Sequence, residues 1–98
     1  MKITINGNEL ELKNKFRSYI IYETITSKMF NPQTVSDMIT YMFAVILANY
    51  PDIELKFDDF LDWLDSNPDQ FAKFNQWVVD SSKSLQQGEQ AEKKGMAK

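Results

Sequence analysis

The 98-residue sequence predicts an α+β domain that is mainly α: an N-terminal β-hairpin packed on a bundle of about four helices, followed by a disordered C-terminal tail. Three observations carry this. The first dozen residues alternate apolar and polar around a glycine, as hairpins do. Apolar residues then recur at three- and four-residue spacing in successive blocks divided by Pro and Asn. Beyond Leu85 the periodicity stops, and one Met is the only large apolar residue left.

In the hairpin, KITINGNELELK, Ile3 and Ile5 share one face of the first strand, Leu10 and Leu12 one face of the second. Gly7-Asn8 is the expected turn. A lone hairpin is marginal in water, so this apolar face must lie on the helices or pair with another chain. Lys2, Glu9, Glu11 and Lys13 read as charges that blunt the strand edges, in preference to an edge left open for a second copy.

Asn14 is the expected N-cap of a first helix running from about Lys15 to Ser27. That helix has two apolar stripes. Phe16, Tyr19 and Ile20 mark one, and Ile21, Tyr22, Ile25 and Met29 the other. One stripe would meet the core; the other would meet the hairpin or a partner.

Pro32 breaks the chain after it. Thr34 with Asp37 then forms a capping box, Asp standing for the usual Glu or Gln. The helix it opens, TVSDMITYMFAVILANY, is the piece around which the domain is organised. Val35, Met38, Ile39, Met42, Val45 and Ile46 share one face, widened by Phe43, Leu47 and Tyr50. Thr40, Ala44 and Ala48 make the opposite side small enough for another helix to approach. A helix apolar or small nearly all round is one that others wrap.

Asn49 and Pro51 close this helix, and residues 52–56 read as an irregular connection or one short extended piece. Asp58 is the expected cap of a short third helix with the stripe Phe57, Phe60, Leu61, Leu64. Asn67-Pro68 stops it and starts a fourth, lined on one side by Phe71, Phe74, Val78 and Leu85. The domain is thus expected over 1–85 and the tail over 86–98.

Composition removes most chemistries. The chain has no Cys and no His. Disulfides, thiolate zinc sites, cysteine nucleophiles and Ser-His-Asp systems are therefore excluded. The three glycines are scattered, so there is no phosphate-cradling loop. The net charge of −3, with only Lys13, Lys15 and Arg17 close together, argues against nucleic acid. No apolar run approaches the roughly 20 residues that cross a bilayer, and the alternating N-terminus is not a signal peptide. A cytoplasmic protein without cofactor, metal or membrane partner is expected, and not an enzyme.

The one charged constellation is acidic. Asp52, Glu54, Asp58, Asp59, Asp62, Asp65 and Asp69 face a single opposing charge, Lys56. Asp58, Asp62 and Asp65 share a helix face, but nothing supplies the glycine bend of a calcium loop. A solvated face is the common outcome of such a run. The sharper reading is a patch that docks a basic partner, including the basic first segment of another copy.

Taken together, the phrases KITINGNELELK, FRSYIIYETITSKMF and LANYPDIELKFDDFLDWLD in this order resemble the tail assembly chaperones of long-tailed bacteriophages and prophages, over roughly residues 1–85. The resemblance implies a non-enzymatic role. Such chaperones bind the tape-measure protein and keep it soluble, help recruit tail-tube proteins, self-associate into homo-oligomers, and act in the cytoplasm of the bacterial host. The alternative is a structural or connector subunit of a phage particle. The resemblance transfers no individual site. Surface chemistry nominates Tyr22, Trp63 and Trp77 as partner anchors, with Asp58, Asp59, Asp62 and Asp65 as a steering patch.

Overall fold

The computed structural model describes residues 1–81. Strands β1 (Lys2–Ile5) and β2 (Asn8–Glu11) precede helices α1 (Phe16–Thr26), α2 (Val35–Asn49) and α3 (Phe57–Ser66). A fourth helix, α4, occupies residues 68–81. A hairpin on a four-helix bundle is the expected architecture. Leu85 and the expected tail 86–98 lie outside the described residues.

The strands pair antiparallel, Lys2 with Glu11 through to Ile5 with Asn8. The turn is therefore Asn6-Gly7, one residue earlier than expected from the sequence. Both residues have positive φ, 52° and 80°. A two-residue hairpin loop of that hand matches the twist of the strands, and Asn tolerates the left-handed region better than most residues. This register buries Ile3, Ile5, Leu10 and Leu12 together and leaves Lys2, Thr4, Glu9 and Glu11 exposed.

Charges are not all that guards the strand edges. On the β2 side, the Glu11 N–H donates to the Tyr50 hydroxyl at 2.8 Å. The Asn49 amide clasps Lys13, accepting from its N–H at 3.0 Å and donating to its carbonyl at 2.9 Å. On the β1 side, the Trp63 indole N–H donates to the Thr4 carbonyl at 2.8 Å. Side chains from α2, its C-cap and α3 thus occupy outward-facing backbone groups on both edges, which sheets otherwise leave open to other chains.

Helix α1 begins after an extended Lys15 that makes no side-chain cap, so Asn14 is not the cap. The side chain of Asn14 sits one residue too far out. The Ser18 N–H instead meets the Lys15 carbonyl at 3.0 Å. The helix ends at Ser27 in the left-handed conformation, whose N–H reaches Glu23 O.

The capping box of α2 is present in both directions. The Asp37 N–H donates to Thr34 Oγ1 at 3.1 Å, and the Thr34 N–H to Asp37 Oδ2 at 3.2 Å. Every residue from Tyr41 to Ile46 is buried, as is Ala48. Its neighbours meet it through aromatic rings. Tyr41 stacks on Tyr19 of α1 at 5.9 Å and tilts against Phe74 of α4 at 5.8 Å. Two residues on, Phe43 meets Phe57 and Phe60 of α3 at 5.2 and 5.4 Å. One helix therefore serves two aromatic clusters.

Asp58 does not cap α3. The first helical bond runs from the Phe60 N–H to the Lys56 carbonyl, which makes Lys56 the N-cap. Asp58 and Asp59 fall inside the first turn, where a negative charge complements the helix dipole. The α3–α4 corner is pinned by Asn67, which donates from Nδ2 to the Trp63 carbonyl at 2.9 Å and accepts at its own carbonyl from the Gln70 N–H at 3.0 Å.

Candidate partner-binding surface

Tyr22 is not a surface anchor: it is 1% exposed. It lies on the α1 face turned toward α2, edge-on to Phe30 at 5.3 Å and to Tyr41 at 6.4 Å. Burial, with the Asp37 charge second, pushes its phenol above the usual tyrosine range. Burial likewise raises the Tyr41 phenol, with Tyr19 adding to the effect. Both rings are core residues that stay neutral. Beside them on α1, the fully buried Ser18 leaves its hydroxyl without a hydrogen-bond partner. A small residue there costs some polar desolvation in exchange for room.

Trp63 and Trp77 are both half-buried. Trp63 is largely committed within the fold, since its N–H holds Thr4 and its ring stacks on Phe60 at 6.1 Å. Trp77 tilts against Phe74 at 5.7 Å. Each leaves only part of its ring for a partner.

Asp58, Asp59, Asp62 and Asp65 are all exposed. Among the described residues none of the four is in an ion pair; those present join the N-terminal amine to Glu11, Lys2 to Glu9 and Lys73 to Asp69. Asp59 and Asp62 border an open depression of about 540 Å³, with Asn6, Trp63, Ser66 and Asn67. A second depression, about 480 Å³, lies between β2 and the end of α2, lined by Leu10, Tyr50 and Ile53 among others. No group of acidic side chains among the described residues is arranged to hold a metal ion. No helix among them is long and apolar enough to cross a membrane.

The surface holds apolar residues that the sequence reading placed on helix stripes but did not nominate as partner anchors. Phe16 is 80% exposed and Ile20, one turn later, 62%. Lys13, Lys15 and Arg17 flank them and are exposed too. Met29 and Val35 protrude around the α1–α2 connection. The signal for Phe16 and Ile20 was in the spacing: they lie on the opposite side of α1 from Ser18 and Tyr22. Since α1 is apolar on both sides, spacing alone does not say which side faces in. Comparison with family models, with curated proteins and with solved structures found no match to this chain.

Proposed function

We propose that this chain is a non-enzymatic protein-binding module, a tail assembly chaperone that shelters the tape-measure protein of a long-tailed phage. In this reading it also helps recruit tail-tube subunits, works with further copies of itself, and acts in the cytoplasm of the bacterial host. The observation that carries the binding reading is the exposure of Phe16 and Ile20 on one strip of α1. Large apolar side chains clustered on a helix face favour an apolar partner. The choice of partner comes from the sequence resemblance over residues 1–85.

Chemically, the strip suits a client helix with its own apolar stripe. Each buried large side chain is worth about 1.5–3 kcal/mol, so two or three contacts support reversible capture. A chaperone must release its client, and a modest strip is adequate for that. The acidic face of α3 and the basic residues beside Phe16 would orient the encounter more than strengthen it.

Co-expression with a tape-measure protein of such a phage tests this directly. The expected result is capture and solubilisation of that protein, lost in the Phe16→Ser/Ile20→Ser variant. A client that stays insoluble, or that binds both forms alike, overturns the proposal. Mass spectrometry of purified particles separates the alternative: a retained connector subunit is present in them and a chaperone is absent.

A further inference from the structure

Two helix starts on this molecule share a layout and oppose each other in charge. Helix α1 opens Phe16-Arg17-Ser18-Tyr19-Ile20, and α3 opens Phe57-Asp58-Asp59-Phe60-Leu61. In both, the first residue is an exposed Phe, the next is charged, and an aliphatic residue follows one turn after the Phe. Phe16 and Ile20 project beside Arg17 with Lys13 and Lys15 near; Phe57, 37% exposed, and the half-buried Leu61 run beside Asp58, Asp62 and Asp65. Residues four apart lie one above the other on a helix, so each start presents a two-residue apolar ridge with a charged border, the α3 ridge being the shallower because Phe57 also packs on Phe43. Both starts follow an exposed lysine, Lys15 and Lys56; beyond the Phe the border is basic on α1, through Arg17, and acidic on α3, through Asp58, Asp62 and Asp65.

We propose that the α1 ridge of one copy docks against the α3 ridge of a second copy, with Arg17 and its lysines set against Asp58 and Asp62. This rests on the binding-module reading and names what covers the α1 strip when no client is present. Because the two surfaces differ, the contact is heterologous: each copy keeps one unused donor ridge or acceptor ridge, and assembly continues until a ring closes. A like-with-like pairing of two α3 ridges would set aspartates against one another, which is unfavourable. The apolar ridges supply the affinity and the charges the direction, so assembly weakens as salt rises.

Sedimentation of the purified full chain, free of any client, tests this with two variants. Phe16→Ser/Ile20→Ser removes the donor ridge, and Asp58→Lys/Asp62→Lys inverts the acceptor border. All four positions are at the surface, and retained helical circular dichroism with one cooperative unfolding transition confirms that each variant folds. Asp58→Lys lowers the midpoint somewhat because it puts a positive charge in the first turn of α3. The expected pattern has the native chain in species larger than a dimer at low salt, each variant alone a monomer, and their mixture a 1:1 pair of about twice the monomer mass. That pair cannot grow, because the mixture retains one good ridge of each kind.

Three outcomes overturn the inference. A native chain that stays monomeric up to its solubility limit does so. An Asp58→Lys/Asp62→Lys chain that still self-associates alone does so too, because it points to α1 pairing with α1. Variants that fail to pair on mixing complete the set. Client capture is measured separately, so a chain that captures its client yet fails this mixing test loses only the self-docking.

Discussion

Helices α1 and α2 both carry apolar residues on more than one side and meet opposite fates. On α2, seven residues are buried, including the unbroken run Tyr41–Ile46. On α1, Ser18 and Tyr22 are buried while Phe16, Ile20 and Ile25 stand in the open. The difference lies in neighbours. The hairpin, α1, α3 and α4 all turn an apolar face to the core that α2 occupies, so α2 is wrapped. Helix α1 sits at the periphery and has a covered side and an uncovered one. An apolar residue on α2 is therefore expected to work for stability, and one on the outer side of α1 for association.

The largest effect should come from emptying the interior. Met42, fully buried, is expected to cost about 2–5 kcal/mol when cut to Ala. Chemical denaturation reads this, and a loss below about 1 kcal/mol would mean α2 is less tightly wrapped than described. Overfilling comes next. Ala44→Leu forces an isopropyl group into a fully buried site and is expected to cost about 1–3 kcal/mol.

The start of α2 gives the third. Thr34→Ala removes the hydroxyl that accepts the Asp37 N–H and should cost about 1 kcal/mol. The partner carboxylate adds a pH signature. The Gln33 N–H holds Asp37 below the usual carboxylate range against the opposing effect of burial, which is second in size, with contacts to Thr34 and the Lys28 charge helping to lower it. A carboxylate depressed in the folded state stabilises above its unfolded pKa and loses that contribution as pH falls through the folded value. The gap in stability between the native chain and Asp37→Asn should therefore be widest near neutrality and close on acidification. A gap that widens in acid would contradict the cap.

Smallest of all should be the outer side of α1. Ile20→Ser and Phe16→Ser are each expected to move stability by no more than about 0.5 kcal/mol. Their effect should appear in association instead. If either one destabilises the monomer as much as Met42→Ala does, the contrast between the two helices fails.

Much of this was legible in the sequence. The capping box at Thr34, the alternation of Ile3, Ile5, Leu10 and Leu12, and the all-round apolar character of α2 each depend on local pattern, and each is present in the fold. The misplacements were also local. Asn14 and Asp58 are good capping residues, but tertiary packing starts α1 at Phe16 and α3 at Phe57. The Asn6-Gly7 turn follows from strand register, which shifts by one residue without changing the composition of either strand. Orientation of α1 was the part that pattern does not encode. With apolar residues on both sides, the buried side is chosen by Phe30, Tyr41 and the other rings around Tyr22, and those rings lie outside α1, where its own periodicity carries no information about them. Tyr22 was for that reason placed outside when it belongs inside, whereas the aspartates of α3 are at the surface as their run suggests.

The bond from Trp63 to Thr4 has a consequence for synthesis. It joins positions 59 residues apart, so β1, made before α3, waits for the third helix before its outer edge is closed. At roughly 5–20 residues per second that wait lasts seconds. During it the hairpin is a bare template for strand pairing, which makes fragments ending before Trp63 the forms of this chain most prone to clump.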